Sequence, residues 1–249
     1  MNQDADDDEI PEDSEPEAAL WEALEALQEL GEEDPVEALA MFASLPAEVQ
    51  VLTDFQLTRA GLLRAADDVP EARRILEGLI AADPSDADAH HLLADVLEDD
   101  GELELATTHF LETLRLDTLA TQDLPQAEVD QVLDDTLLYL KRAVSELPAP
   151  WQARLSGVPL LVQRLPSEDM VQAGLDPRAL GLFEGPTHGE TLALDAAPIP
   201  TRIVVFAENL ALDFPEAEDF AEQVKITVLH ELGHYFGLDE DDMVRLGLD

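Results

Sequence analysis

Apolar residues recur with helical spacing from Glu17 to about Asp117, and the pattern repeats itself. Ala38, Ala72 and Ala106 stand 34 residues apart, and Phe42, Leu76 and Phe110 each follow four residues behind. The last unit reads ADAHHLLADVLEDDGELELATTHFLETLRLD. It puts Leu93, Ala94 and Leu97 on one helix, Gly101 at a turn, and Ala106 and Phe110 on a second helix. Alanine suits positions where two paired helices come close, and the larger residue one turn later fills the gap. The middle unit matches through Ala60, Ala72, Leu76 and Asp83-Pro84, with Asp67 where a turn glycine is usual. The first unit keeps Gly31, Ala38 and Phe42 and is looser. Such a pattern predicts stacked pairs of antiparallel helices.

The period is lost in TLATQDLP, residues 118–125, where the proline marks a domain boundary. A new amphipathic helix is expected from about Ala127 to Glu146, with Val129, Val132, Leu133, Leu137, Leu140 and Val144 among its apolar positions. Val158–Gln163 and Ile203–Phe206 read as strands, and Leu182-Phe183 as part of a shorter one. Pro159 places the first at a sheet edge. A final helix should start near Pro215, with Asp213 close to its cap, and run through EAEDFAEQVKITVLHELGHYFG, residues 216–237. Its apolar residues lie on more than one side, Phe220, Val224 and Val228 on one and Ile226, Leu229 and Phe236 on another. That marks a central helix packed between a sheet and other helices.

Composition narrows the chemistry. No cysteine is present, so disulfides are excluded and any metal site must use His, Asp or Glu. The 13 basic and 57 acidic residues give a formal net charge of -44. Such a surface repels nucleic acid and anionic lipid, which excludes both as partners. It is compatible with a basic partner or substrate, although a charge excess spread along a whole chain usually reflects solvation. The opening MNQDADDDEI shows no features of a secretion signal, and the apolar runs are too interrupted to span a membrane. A cytoplasmic location is expected. Residues 1–16 are mostly acidic with little to bury, the composition of a disordered tail.

The last helix carries His230-Glu231-Leu232-Gly233-His234. Residues four apart share a helix face one turn apart, so the two imidazoles can point at one metal ion. Glu231 is placed to take a proton from water at the metal's open side. Gly237 lets the chain leave the helix, and Glu240 can then return a carboxylate to complete a His2Glu set. Asp239 and Asp242 are alternatives for that third ligand. Three protein ligands leave a fourth position for water, the catalytic arrangement of zinc. By composition, His-Glu-x-x-His should occur by chance roughly 0.03 times in this chain, and roughly 0.0004 times with the later glycine and acid added.

Residues 17–120 resemble tetratricopeptide repeats, which implies peptide or protein binding in a concave groove. From about Asp134 onward the chain resembles the bacterial zincin-like metallopeptidase family, whose motif is HExxHxxGxx followed by Asp or Glu. The segments that carry the likeness are Ala143–Pro148, Val158–Pro166, Gly181-Leu-Phe-Glu-Gly185, Ile203–Phe206 and Val224–Gly237. The resemblance implies a minimal zincin fold, bound zinc (Zn2+) and peptidase activity on undefined substrates. The expected protein is thus multi-domain, an all-α tetratricopeptide-like array over 17–120 followed by a small α+β (mixed α/β) zincin domain over 126–249. Its expected function is hydrolysis of peptide bonds by a metal-activated water, with Glu231 as general base and His230, His234 and Glu240 as ligands. The repeats would recruit a substrate or partner protein. Ile203–Phe206 could pair with an extended peptide if it lies at a sheet edge. A donor to the oxyanion is hard to find, with Tyr139, Tyr235 and the loop residue His188 as the options. The alternative is a non-catalytic adaptor with a structural or vestigial zinc site.

Overall fold

A computed structural model of the protein describes residues 15–155, 157–186, 201–239, 242 and 245. All but the last two residues of the expected acidic tail lie outside the described residues, and those two open the first helix. The chain forms two compact units, 1–113 and 114–249. No helix among the described residues is long and apolar enough to cross a membrane.

The first unit is helical: α1 (Glu15–Glu33), α2 (Pro35–Ser44), α3 (Ala47–Gln50), α4 (Thr53–Ala65), α5 (Val69–Ala82), α6 (Ala87–Asp99) and the start of α7 (Leu103–Thr121). Aspartates begin three of them. Asp34 accepts hydrogen bonds from the amides of Val36 and Glu37, Asp68 from Glu71 and Asp86 from Ala89, which satisfies N–H groups that have no partner inside the helix. The repeating alanines are fully covered, with Ala38 and Ala72 at 0% exposure and Ala106 at 2%. Asp67 adopts the left-handed conformation of the glycine it replaces, with φ 64° against 78° for Gly101. Gly31 is not a turn residue. It lies inside α1, where a Cβ would collide with Leu62 of α4, so its smallness serves a helix crossing.

His90 and His109 join α6 to α7 inside this unit, their Nδ1 atoms 2.9 Å apart. One ring must donate and the other accept. Burial, with the neighbouring His90, pushes the His109 pKa below its ordinary value, against the opposing pull of Glu77 and Glu112. The folded pKa is therefore lower than the unfolded one. This contribution to stability is complete above the unfolded value of about 6.5 and is lost as pH falls through the folded value. The melting-temperature advantage of the wild type over His109→Gln should accordingly shrink between pH 8 and pH 5. A constant difference would count against the pair as the cause.

The second unit holds α8 (Gln126–Glu146), α9 (Ala149–Arg154), β1 (Leu160–Gln163), α10 (Glu168–Gln172), β2 (Gly181–Glu184), β3 (Arg202–Phe206), α11 (Ala207–Asp213) and α12 (Ala217–Phe236). Its three-stranded sheet has the order β1-β3-β2. β1 runs parallel to β3, with Leu160 opposite Ile203, and β2 runs antiparallel to it, with Gly181 opposite Val205. β3 is therefore central, not the edge strand that pairing with a peptide would need, and among the described residues the edges are β1 and β2. Ile203 through Phe206 are fully buried, which explains their unbroken apolar run. Ile203 and Val205 pack with Val224, Val228 and Leu232 of α12 and Leu140 of α8, so α12 is the middle layer, as its apolar girth predicts.

Polar contacts fix the chain that leads into β2. The Asn209 amide donates to the carbonyls of Pro177 and Ala179 at 2.9 and 2.8 Å. The Arg178 guanidinium grips both oxygens of Asp117 at 3.0 and 3.1 Å. Glu208, buried at the start of α11, pairs with Arg164 and accepts a hydrogen bond from Thr121. A removed partner would leave a buried charge uncompensated, so this network holds α11 and the β2 approach in one arrangement.

Candidate active site

α12 presents His230 and His234 one turn apart, with Nε2 atoms 3.0 Å from each other and rings crossed at 80°. Two nitrogens that bind one tetrahedral zinc at about 2.0–2.1 Å stand about 3.3 Å apart, so this pair needs little adjustment to share an ion. Glu231, between them in sequence, is 8% exposed. It lies beneath β2 at Gly181. A Cβ at that position would stand 2.8 Å from Thr227 Cγ2, 2.9 Å from Glu231 Cγ and 3.0 Å from its Oε1. Only glycine lets the strand pass this close to the carboxylate.

The C-terminal end of α12 turns back in the expected way. Gly237 takes the left-handed conformation at φ 82°, its amide bonds to the His234 carbonyl, and the amide of Leu238 bonds to that of Gly233. The turn brings Leu238 and Asp239 to a cleft of about 570 Å3, which Gly181, Leu182, Phe183, Glu231 and His234 also line. That volume lies within the usual range of ligand sites, about 300–1,000 Å3.

Glu240 and His188 lie outside the described residues. Of the alternative third ligands, Asp239 lines the cleft, whereas the Asp242 carboxylate is paired with Arg245. Neither tyrosine faces the cleft. The Tyr235 hydroxyl donates to the Arg154 carbonyl at 3.1 Å, and burial raises its pKa. Tyr139 packs edge-on against Phe220 and lines a different cleft with Arg142 and Lys225. Among the described residues, the cleft lining contains no Tyr, Arg or Lys.

Sequence reasoning picked out the segment Gly181–Gly185 but gave Gly181 no part in the site. Its contact with Glu231 spans 50 residues of sequence and depends on the strand order, so no local pattern signals it.

Residues 155–248 match the zincin-like metallopeptidase family. Residues 53–96, from α4 to most of α6, match the tetratricopeptide repeat. No curated protein matches the chain. The architecture is therefore a set of N-terminal tetratricopeptide-like repeats followed by a small zincin-like domain with a three-stranded sheet. The zincin-like match begins at the end of α9 and takes in the whole sheet and α12. The match to a metallopeptidase family points to peptidase chemistry, and the match to the repeat points to protein interaction.

Proposed function

We propose that the protein is a zinc-dependent peptidase in which His230, His234 and Glu240 hold the metal and Glu231 is the general base. The observation that carries this reading is the 3.0 Å approach of the two Nε2 atoms on the helix that also bears the buried Glu231. Two imidazoles with a carboxylate form a donor set that suits zinc, and the cleft beside them leaves room for a substrate. A zinc ion held by His230, His234 and Glu240 would supply Lewis acidity to the scissile carbonyl and to water.

The protein's own groups do the rest. Glu231 accepts a proton from the attacking water and delivers it to the leaving amide nitrogen. Its burial under Gly181 limits its rotamers and keeps bulk water from solvating it. Among the described residues β2 pairs with β3 on one side only, and an extended peptide would pair along its other edge, with Gly181 to Phe183 alongside the cleft. The acidic surface favours basic peptides as substrates.

The test is metal content after a chelating wash that strips surface carboxylates. About one tightly held zinc per chain is expected, and none in His234→Ala. Equal metal in the two proteins would overturn the ligand assignment. A second reading, an adaptor with a structural or vestigial zinc site, is favoured by the absence of Tyr, Arg and Lys from the described cleft lining. Substitution of Glu231 separates the two.

A further inference from the structure

The first unit carries an apolar cleft that has no part in the proposed chemistry. Leu20, Trp21 and Leu24 of α1 form one wall, and Leu52, Asp54 and Phe55 at the start of α4 form the other. Its volume is about 130 Å3. A dry cavity of about 150 Å3 accepts benzene, so the cleft is sized for one apolar side chain. Trp21 is 64% exposed on its rim, with Leu52 at 40% and the adjoining Val51 at 74%. An indole left in water beside a hole of that size is an anchor of the kind that dominates binding energy in protein interfaces.

Charge determines what can fill it. The first 58 residues contain 18 acidic residues and no Lys or Arg. Glu22 and Glu25 flank Trp21 on α1 and are exposed, and the exposed Asp54 closes the opposite wall. The four arginines of this unit are already paired: Arg59 with Glu71, Arg64 with Asp95 and Asp99, Arg73 with Glu77 and Glu102, and Arg74 with Glu71. Among the described residues of this unit, no unpaired Lys or Arg stands near the cleft to receive an acidic ligand.

The same argument removes the occupants that the chain itself could supply. Its first 16 residues hold eight acids and no base, and a second copy brings another net charge of -44. Both would be repelled, whereas a cationic segment would be steered in.

We propose that the Trp21 cleft docks a partner protein through a Lys/Arg-bearing segment that inserts one large apolar side chain between α1 and α4. The inference stands whether or not the zincin-like unit is catalytic. It names a place and a chemistry for recruitment, and its basic partner need not be a substrate.

The experiment is selection from a random-sequence peptide library on the full-length protein, followed by affinity measurement of the recovered peptides. Peptides with several Lys or Arg around one Leu, Ile, Phe or Trp are expected. The chain has two tryptophans, so in Trp151→Phe all indole emission comes from Trp21, and it should shift to shorter wavelength on binding. Trp21→Ala should weaken the selected peptides at least about 10-fold without changing net charge. Its exposure makes a folding defect unexpected, and circular dichroism checks this.

Recovery of acidic or neutral peptides, or of none, overturns the proposal. So does full affinity in Trp21→Ala, which would mean diffuse attraction to acidic surface. Sedimentation showing a dimer that Trp21→Ala dissolves would identify a second copy as the occupant and overturn it as well.

Discussion

Glu231→Gln is expected to reduce peptide hydrolysis by about 100- to 10,000-fold, the range that a positioned general acid–base contributes, while zinc content stays near one per chain. Glutamine has the shape of glutamate and keeps an oxygen acceptor, so the packing beneath Gly181 survives. What it loses is the ability to take and return a proton. A structural zinc site has no use for that ability, and neither do the repeats, whose partner binding should be untouched. The assay is cleavage of a pool of quenched fluorescent peptides rich in Lys and Arg, with metal content measured on the same preparations. Equal cleavage by the two proteins would remove Glu231 from the mechanism. A wild type that holds zinc but cleaves nothing would move the weight to the adaptor.

Gly181→Ala should be the most damaging single methyl addition near the cleft. The added Cβ would overlap two atoms that cannot easily retreat, Cγ2 of the β-branched Thr227 and Cγ in the stem of Glu231. The backbone of Gly181 is not in a left-handed conformation, so collision alone is being tested. Overpacking of this kind costs about 1–3 kcal/mol of stability, and a carboxylate displaced by about 1 Å can lose about 100-fold in rate. The expected outcome is a lower melting temperature and a loss of cleavage on that order, with zinc retained through His230 and His234. Thr227→Ser removes one of the two clashing groups, and placed beside Gly181→Ala it should restore part of both properties. Unchanged cleavage in Gly181→Ala would show that the base tolerates the shift or does not act.

The local elements were readable because each rests on a pattern within a few turns of chain. The 34-residue spacing locates alanines that are buried, and it puts Asp67 where a turn glycine is usual and where φ is left-handed. The run Ile203–Phe206 announced a strand, and the apolar girth of the last helix announced a middle layer. Errors came where a residue's meaning depends on something distant. Gly31 looked like a turn, yet its role comes from Leu62 on another helix. Ile203–Phe206 reads equally well as an edge or a central strand, and pairing on both sides makes it central.

The shared face of His230 and His234 follows from the sequence alone, because helix geometry brings residues four apart together whatever surrounds them. The helical repeats, the acidic character and the absence of thiols are of the same kind, since they follow from spacing and composition. Only the tertiary structure decided which strand lies beside the His230–His234 helix, that Gly181 covers Glu231, and that Tyr235 and Tyr139 point elsewhere. It also decided that Trp21 stands in water next to an apolar cleft. Those facts come from contacts between segments far apart in sequence, and strand order and helix packing set such contacts only when the whole core assembles.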